Sequence, residues 1–136
     1  MKFTRETTIR FEHCDPAGIM FYPRHFALVN EMVEDWFAAL GFSFKTMHVD
    51  AKKGVPTVKF DAQFGRPLRI GDTLTQTLCV SQIGDASCNL VHESSVGGAL
   101  AAQFEQVIVY VDLETMGPET WPDLLRKKMS AYEERA

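Results

Sequence analysis

The sequence predicts an α+β domain in which a curled antiparallel sheet wraps around one long central helix, with a short helix closing the chain. Three observations carry this. An apolar stripe at helical spacing runs from Pro23 to Leu40. Segments rich in β-branched residues, some alternating with period two, precede and follow it. Short glycine-containing joints, Gly84-Asp85 and Gly97-Gly98, link consecutive segments of that second kind. A helix with a broad apolar face needs another layer to cover it, and joints this short connect antiparallel neighbours. At 136 residues the chain fits a single domain spanning 1–136, able to bury a core without metal or disulfide staples.

Residues 3–12, FTRETTIRFE, mix β-branched and aromatic residues and read as a first strand. HCDPAGIMFYP (13–23) follows, dense in turn-formers. Then Phe26, Val29, Met32, Val33, Trp36, Phe37 and Leu40 form the helical stripe, with Asn30, Glu31, Glu34 and Asp35 largely opposite. Pro23 suits the first turn and Gly41 the stop. Such a helix is about 27 Å long. Residues 42–54 are a polar connection with room for a short helical turn.

From Thr57 the period is two. Val58, Phe60, Ala62 and Phe64 point one way and Thr57, Lys59, Asp61 and Gln63 the other, predicting a half-buried strand. GRPLRIGD (65–72) bends the chain. Residues 73–83, 87–96 and 99–112 are three more strands, the last apolar on both faces from Val107 to Val111 and so expected to be central or covered by a partner subunit. The segment 122–136, PDLLRKKMSAYEERA, reads as the closing amphipathic helix, with Asp123 favouring its start.

Fourteen Lys and Arg against eighteen Asp and Glu leave a net charge of −4, which argues against nucleic acid or an anionic membrane surface as partner. The polar amino terminus, MKFTRETTIRFEH, and the lack of a long apolar run predict a cytoplasmic chain. Cys14, Cys79 and Cys88 suggest neither a disulfide framework nor a zinc site, and Cys79 and Cys88 read as buried thiols. His13, His25, His48 and His92 never fall at i, i+4 spacing, so no metal centre is expected.

CDPAGIMFYPRHF resembles the Asp-x-x-Gly-x-x-x-Tyr-Pro signature of hotdog-fold acyl-CoA thioesterases of the 4-hydroxybenzoyl-CoA thioesterase-like family. GVPTVKFDAQFGRPLRIGDTL is similar to that family's second strand and turn, and the order of elements fits along nearly the whole chain. The resemblance implies a thioester hydrolase acting on an acyl-CoA, assembled as a homodimer or homotetramer with sites at subunit interfaces. It implies no cofactor, coenzyme A being part of the substrate. Asp15 takes the place of the reacting carboxylate, Gly18 that of the motif glycine, and Tyr22 supplies the backbone N–H that meets the oxyanion.

The chemistry of these residues agrees with those roles. Thioester hydrolysis needs a nucleophile or base at the carbonyl carbon and a donor aimed at the developing oxyanion. A helix N-terminus offers unpaired N–H groups, so the chain at Tyr22 can donate without a side chain. Pro16 keeps Asp15 out of helical conformation, and Gly18 permits a tight turn. Direct attack by Asp15 and activation of water by it both remain open. Asp-Pro-Ala-Gly is also ordinary turn chemistry.

Around the motif, Pro16, Ile19, Phe21 and His25 are candidates to touch substrate, as is Asn30, which stands where hydroxybenzoyl-specific relatives can carry an acid. Family members often meet the CoA phosphates with basic residues at a hairpin that here reads IGDASC, without Lys or Arg. Lys59, Arg66 and Arg69 are the candidate substitutes. Two other functions compete. One is hydration or dehydration of a CoA or carrier-protein thioester, with His13 and Asp15 as the proton-transfer pair. The other is a non-catalytic acyl-CoA-binding subunit.

Overall fold

The computed structural model describes residues 1–134. Strand β1 (Phe3–Thr8) leads through a 3₁₀ turn (Phe11–His13) and the motif into helix α1 (Pro23–Ala39). A π-helical turn (Lys45–Asp50) and the two-residue strand β2 (Lys53–Gly54) precede the long strands β3 (Thr57–Phe64), β4 (Thr73–Ile83), β5 (Ser87–Val96) and β6 (Ala99–Val109). The short strand β7 (Val111–Asp112) and helix α2 (Asp123–Ser130) complete the order. Five strands form one antiparallel sheet in the order β1-β4-β5-β6-β3, and β2 pairs with β7 apart from it. The expected α+β architecture is observed.

Why α1 lies against the sheet is legible in the burial. His25, Leu28, Val29, Met32, Val33, Trp36, Phe37 and Leu40 are buried, and they meet the inward residues of the sheet: Leu74, Leu78 and Val80 of β4, Cys88 and Leu90 of β5, and Phe104 and Ile108 of β6. Burying side chains of this size stabilises the fold by roughly 1.5–3 kcal/mol each. Beyond Leu40, Gly41 takes φ +88° and Phe42 N–H donates to the Phe37 carbonyl at 2.9 Å, which stops the helix.

At the β5–β6 joint, Gly97 and Gly98 both have positive φ, 58° and 81°, between the paired Val96 and Ala99. Two consecutive positive φ angles make the hairpin turn whose twist matches the strands, and glycine adopts them without strain.

The structure corrects several expectations. The first strand ends at Thr8, not residue 12. Ile9 keeps a ladder-like exchange with the bend, Ile9 N–H to Asp72 O and Gly71 N–H to Ile9 O, both 2.8 Å, but Arg10 N–H then bonds His13 Nδ1 and the chain curls. The strand expected over 99–112 breaks at Tyr110, whose ring packs on Trp121 at 5.1 Å and whose N–H leaves the sheet for the Ala86 carbonyl. Phe26 is 37% exposed, because the inward stripe is shifted to His25 and Leu28. The apolar row of β3 is open: a bulge between Thr57 and Lys59 breaks the alternation, leaving Val58 62% exposed and turning Thr57 to the buried Gln106, and Phe64 is 49% exposed because β3 is an edge strand paired only with β6. Cys88 is buried, but Cys79 is only half-buried, on the outer sheet face.

The closing helix is shorter than expected. After Ser130 the chain turns so that Tyr132 packs on Trp36 at 5.7 Å and accepts the Val80 N–H at 2.9 Å. Arg135 and Ala136, also expected in this helix, lie outside the described residues.

Candidate active site

The motif folds as a hairpin that ends in a helix. Phe21 N–H donates to the His13 carbonyl, Cys14 bridges Met20, and Asp15 N–H donates to the Ile19 carbonyl at 2.9 Å. Gly18 N–H closes the tip on the Asp15 carbonyl at 2.9 Å, with Gly18 at φ +80°. A Cβ on Gly18 would meet nothing within 4 Å, so the glycine serves the backbone angle and not a packing restriction. A third segment completes the ribbon: Met20 N–H donates to Leu68 O at 2.7 Å, and Ile19 bridges Arg69. The bend at Pro67 thus holds the hairpin's outer side.

This framework fixes Asp15. The residue is half-buried, and Oδ1 accepts the Ala17 N–H at 2.9 Å, which holds the carboxylate over the turn. Oδ2 has no hydrogen bond or ion pair among the described residues. One oxygen therefore orients the group while the other keeps its lone pairs.

Tyr22 caps α1 with helical φ and ψ of −52° and −35°. The first turn is closed by Arg24 N–H to Phe21 O, 2.8 Å, and His25 N–H to Tyr22 O, 3.1 Å. The Tyr22 N–H has no acceptor among the described residues, and Pro23 has none to offer. A free N–H at the positive end of a 17-residue helix is a place for developing negative charge.

Aromatic rings tie this corner to the end of β3. His25 lies 5.1 Å from Phe64, Tyr22 6.3 Å from Phe64, and Phe26 5.2 Å from Phe60. His25 is 6% exposed between Phe64 and Phe104, and burial lowers its pKa, so the ring is a neutral wall. Phe21 and Tyr22 are exposed beside it.

Of the candidates, Asp15, Pro16, Gly18, Ile19, Phe21, Tyr22 and His25 meet at this corner. Arg66 is exposed just beyond β3, its N–H on the Ala101 carbonyl at 3.2 Å. Asn30 is two turns along α1, with Nδ2 3.2 Å from Glu34 Oε1. Lys59 stands apart, exposed in a groove on the outer sheet face and 3.8 Å from Asp61.

Charge divides the molecule similarly. Arg10, Arg24, Arg66 and Arg69, all in segments flanking the hairpin, make no ion pair among the described residues. A cavity of about 380 Å³ on the outer sheet face is instead lined by Glu93, Glu105 and Glu134, a repulsive wall for an anionic ligand. Among the described residues no group of His, Cys, Asp and Glu is arranged to hold a metal ion, and no helix is long and apolar enough to cross a membrane.

Sequence reasoning passed over a polar set on the inner side of the sheet. Gln76, His92 and Gln106 are buried there, on the inward phase of their strands. In SCNLVHESSV, alternation already places His92 on the same face as Cys88 and Leu90, a signal that could have been used.

Family and structural comparisons agree with the expected fold. The model of the thioesterase-like superfamily matches residues 9–129, and the chain belongs to that family. It is 25% identical over 123 residues to 1,4-dihydroxy-2-naphthoyl-CoA hydrolase of Nostoc punctiforme, covering 90% of this chain and 83% of the relative. Among solved structures, a Staphylococcus aureus protein in complex with CoA matches with a TM-score of 0.92 at 18% identity, covering 100% of this chain and 88% of that one. A 1,4-dihydroxy-2-naphthoyl-CoA thioesterase from Synechocystis matches with a TM-score of 0.87 at 20% identity, covering 96% of each chain. The hotdog fold is therefore the fold of this chain.

Proposed function

We propose that the protein hydrolyses an acyl-CoA thioester to a free carboxylic acid and CoA, with Asp15 as nucleophile or general base and the Tyr22 N–H as oxyanion donor. The observation that carries this reading is the pairing, in one short hairpin, of an oriented carboxylate having a free oxygen with an unpaired N–H at a helix start. In one route Asp15 Oδ2 adds to the thioester carbon, the CoA thiolate leaves, and water cleaves the resulting anhydride. In the other, Asp15 takes a proton from the water that attacks. Both develop negative charge on the carbonyl oxygen, which the Tyr22 N–H stabilises. Neither needs a cofactor. The unpaired Arg24, Arg66 and Arg69 supply positive charge for the CoA phosphates.

The names of the relatives favour a hydroxylated aromatic acyl group. We place the protein in the reducing cytoplasm, where its three free thiols are stable. We further propose a homodimer, or a homotetramer built from it, joined through the β3 edge, where Val58 and Phe64 are exposed beside unpaired backbone. The hydratase reading gains nothing from His13, whose Nδ1 accepts the Arg10 N–H at 2.8 Å and whose Nε2 lies 3.8 Å from Glu12.

A thiol-release screen over aromatic, short-chain and medium-chain acyl-CoAs tests the proposal. Turnover of at least one substrate supports it. Calorimetric binding of acyl-CoA without thiol release counts for the non-catalytic subunit, and loss of enoyl conjugation without thiol release for the hydratase.

A further inference from the structure

Positive charge and exposed apolar surface coincide at one corner of the molecule. In segments 10–24 and 65–71 the exposed charged residues are Arg10, Arg24, Arg66 and Arg69 against Glu12 alone, on a chain whose net charge is −4. All of the cations are arginine, the residue whose planar fork suits carboxylates and phosphates. The half-buried Asp72 does not neutralise them, because its Oδ2 accepts the Arg69 backbone N–H at 2.8 Å. In the same segments Phe11 is 84% exposed, more than any other large apolar side chain among the described residues, and Ile70 is 52% exposed.

These side chains stand on bonded backbone. Ile9 is buried and exchanges hydrogen bonds with Gly71 and Asp72, so Arg10 and Phe11 leave β1 beside the bend that carries Arg69 and Ile70. The turn beyond is closed by His13 N–H to Arg10 O and Cys14 N–H to Phe11 O, both 3.0 Å. Arg69 bridges Ile19, on the return limb of the hairpin that holds Asp15. The patch therefore borders the candidate site and is fixed to its framework.

The phosphates of CoA call for cations, and Arg24, Arg66 and Arg69 meet that need. They do not call for Phe11 and Ile70. An exposed aromatic ring on a fixed turn, with arginines around it, is the composition of a protein-binding surface, and its charge selects an acidic partner.

We propose that this corner docks an acidic carrier protein, a small helical domain bearing an acyl group on a phosphopantetheine arm, and that the protein hydrolyses the thioester so presented. This rests on the thioesterase reading and names a second class of substrate for the same site. The arm ends in the same thioester as acyl-CoA, so Asp15 and the Tyr22 N–H act on the same carbonyl. Water adds, and the products are the free acid and the carrier's thiol.

The test loads the best acyl group of the thiol-release screen onto a fatty-acyl carrier protein and onto an aryl carrier domain, and compares each with the corresponding acyl-CoA. At low ionic strength kcat/KM for at least one carrier should exceed that for acyl-CoA by about tenfold or more, and the advantage should shrink as salt is raised. Arg10→Glu and Phe11→Ser each lower carrier turnover about tenfold and leave acyl-CoA turnover unchanged, with circular dichroism as in the wild type. Acyl-CoA hydrolysis without a carrier preference, or a preference that neither variant reduces, overturns the inference. So do equal losses on carrier and CoA substrates, a shift of Phe11→Ser to a smaller species in sedimentation, or binding to phosphatidylglycerol vesicles in place of the carriers. Calorimetric carrier binding that both variants weaken, with no thiol release from any thioester, sinks the thioesterase reading and leaves the docking surface standing.

Discussion

Asp15 N–H donates to the Ile19 carbonyl at 2.9 Å, and three residues after Ile19 the chain becomes the cap of α1. That one bond couples the carboxylate to the helix start, so the spacing between the Asp15 carboxylate and the free Tyr22 N–H is a property of the hairpin. Disturbing the turn should disturb both.

Gly18 is the first place to test this. At φ +80° with open space around it, Gly18→Ala meets no clash but adopts a left-handed backbone, at a cost of about 1 kcal/mol. Gly18→Asn, which tolerates that region better, should cost less. Urea denaturation measures the order, and thiol release should fall in the same order.

The donor proposed at Tyr22 is a backbone group, which separates two substitutions. Tyr22→Phe should keep most of the turnover. Tyr22→Pro removes the N–H at a φ of −52° that proline accepts, and should lower kcat by about 100-fold or more. Equal losses in both would assign the role to the side chain.

Much of this corner was legible in the sequence, and it is clear why the remainder was not. Pro23, the helical stripe and Gly41 mark α1 almost to the residue, because caps and periodicity are local properties. The exposure of Phe64 depends on which strand lies at the sheet edge and that of Val58 on a bulge in its pairing with β6, long-range facts that period-two alternation does not contain. The break at Tyr110 depends on Trp121, eleven positions later. The chain from His92 through Gln106 to Thr57 joins three strands, and no spacing along the sequence announces it.

The edge itself makes a prediction. Phe64→Asp places a charge among Tyr22, His25 and Phe26 and at the proposed β3 contact. Sedimentation should show the wild type as a dimer or tetramer and the variant shifted to monomer, with thiol release lost in parallel. A wild type that sediments as a monomer contradicts the proposed assembly.

Burial pushes the His92 pKa down to about 4, against 6.5 when exposed, and its hydrogen bond to Gln106 only partly opposes this. The unfolded chain therefore binds the proton first as pH falls. Stability from neutral His92 is complete above about pH 6.5 and is lost between 6.5 and 4, roughly 3 kcal/mol in all. The stability difference between wild type and His92→Gln should stay flat above pH 7 and shift against the wild type over that window. Urea melts of both proteins from pH 8 to 4 measure it.

The central claim is that Asp15 does the chemistry, and thiol release by Asp15→Asn is its most direct measurement. On the best substrate of the screen, kcat should drop by about 1,000-fold or more, with circular dichroism and melting temperature close to wild type, since Asn can still accept the Ala17 N–H. Undiminished turnover in a folded Asp15→Asn protein would contradict the account.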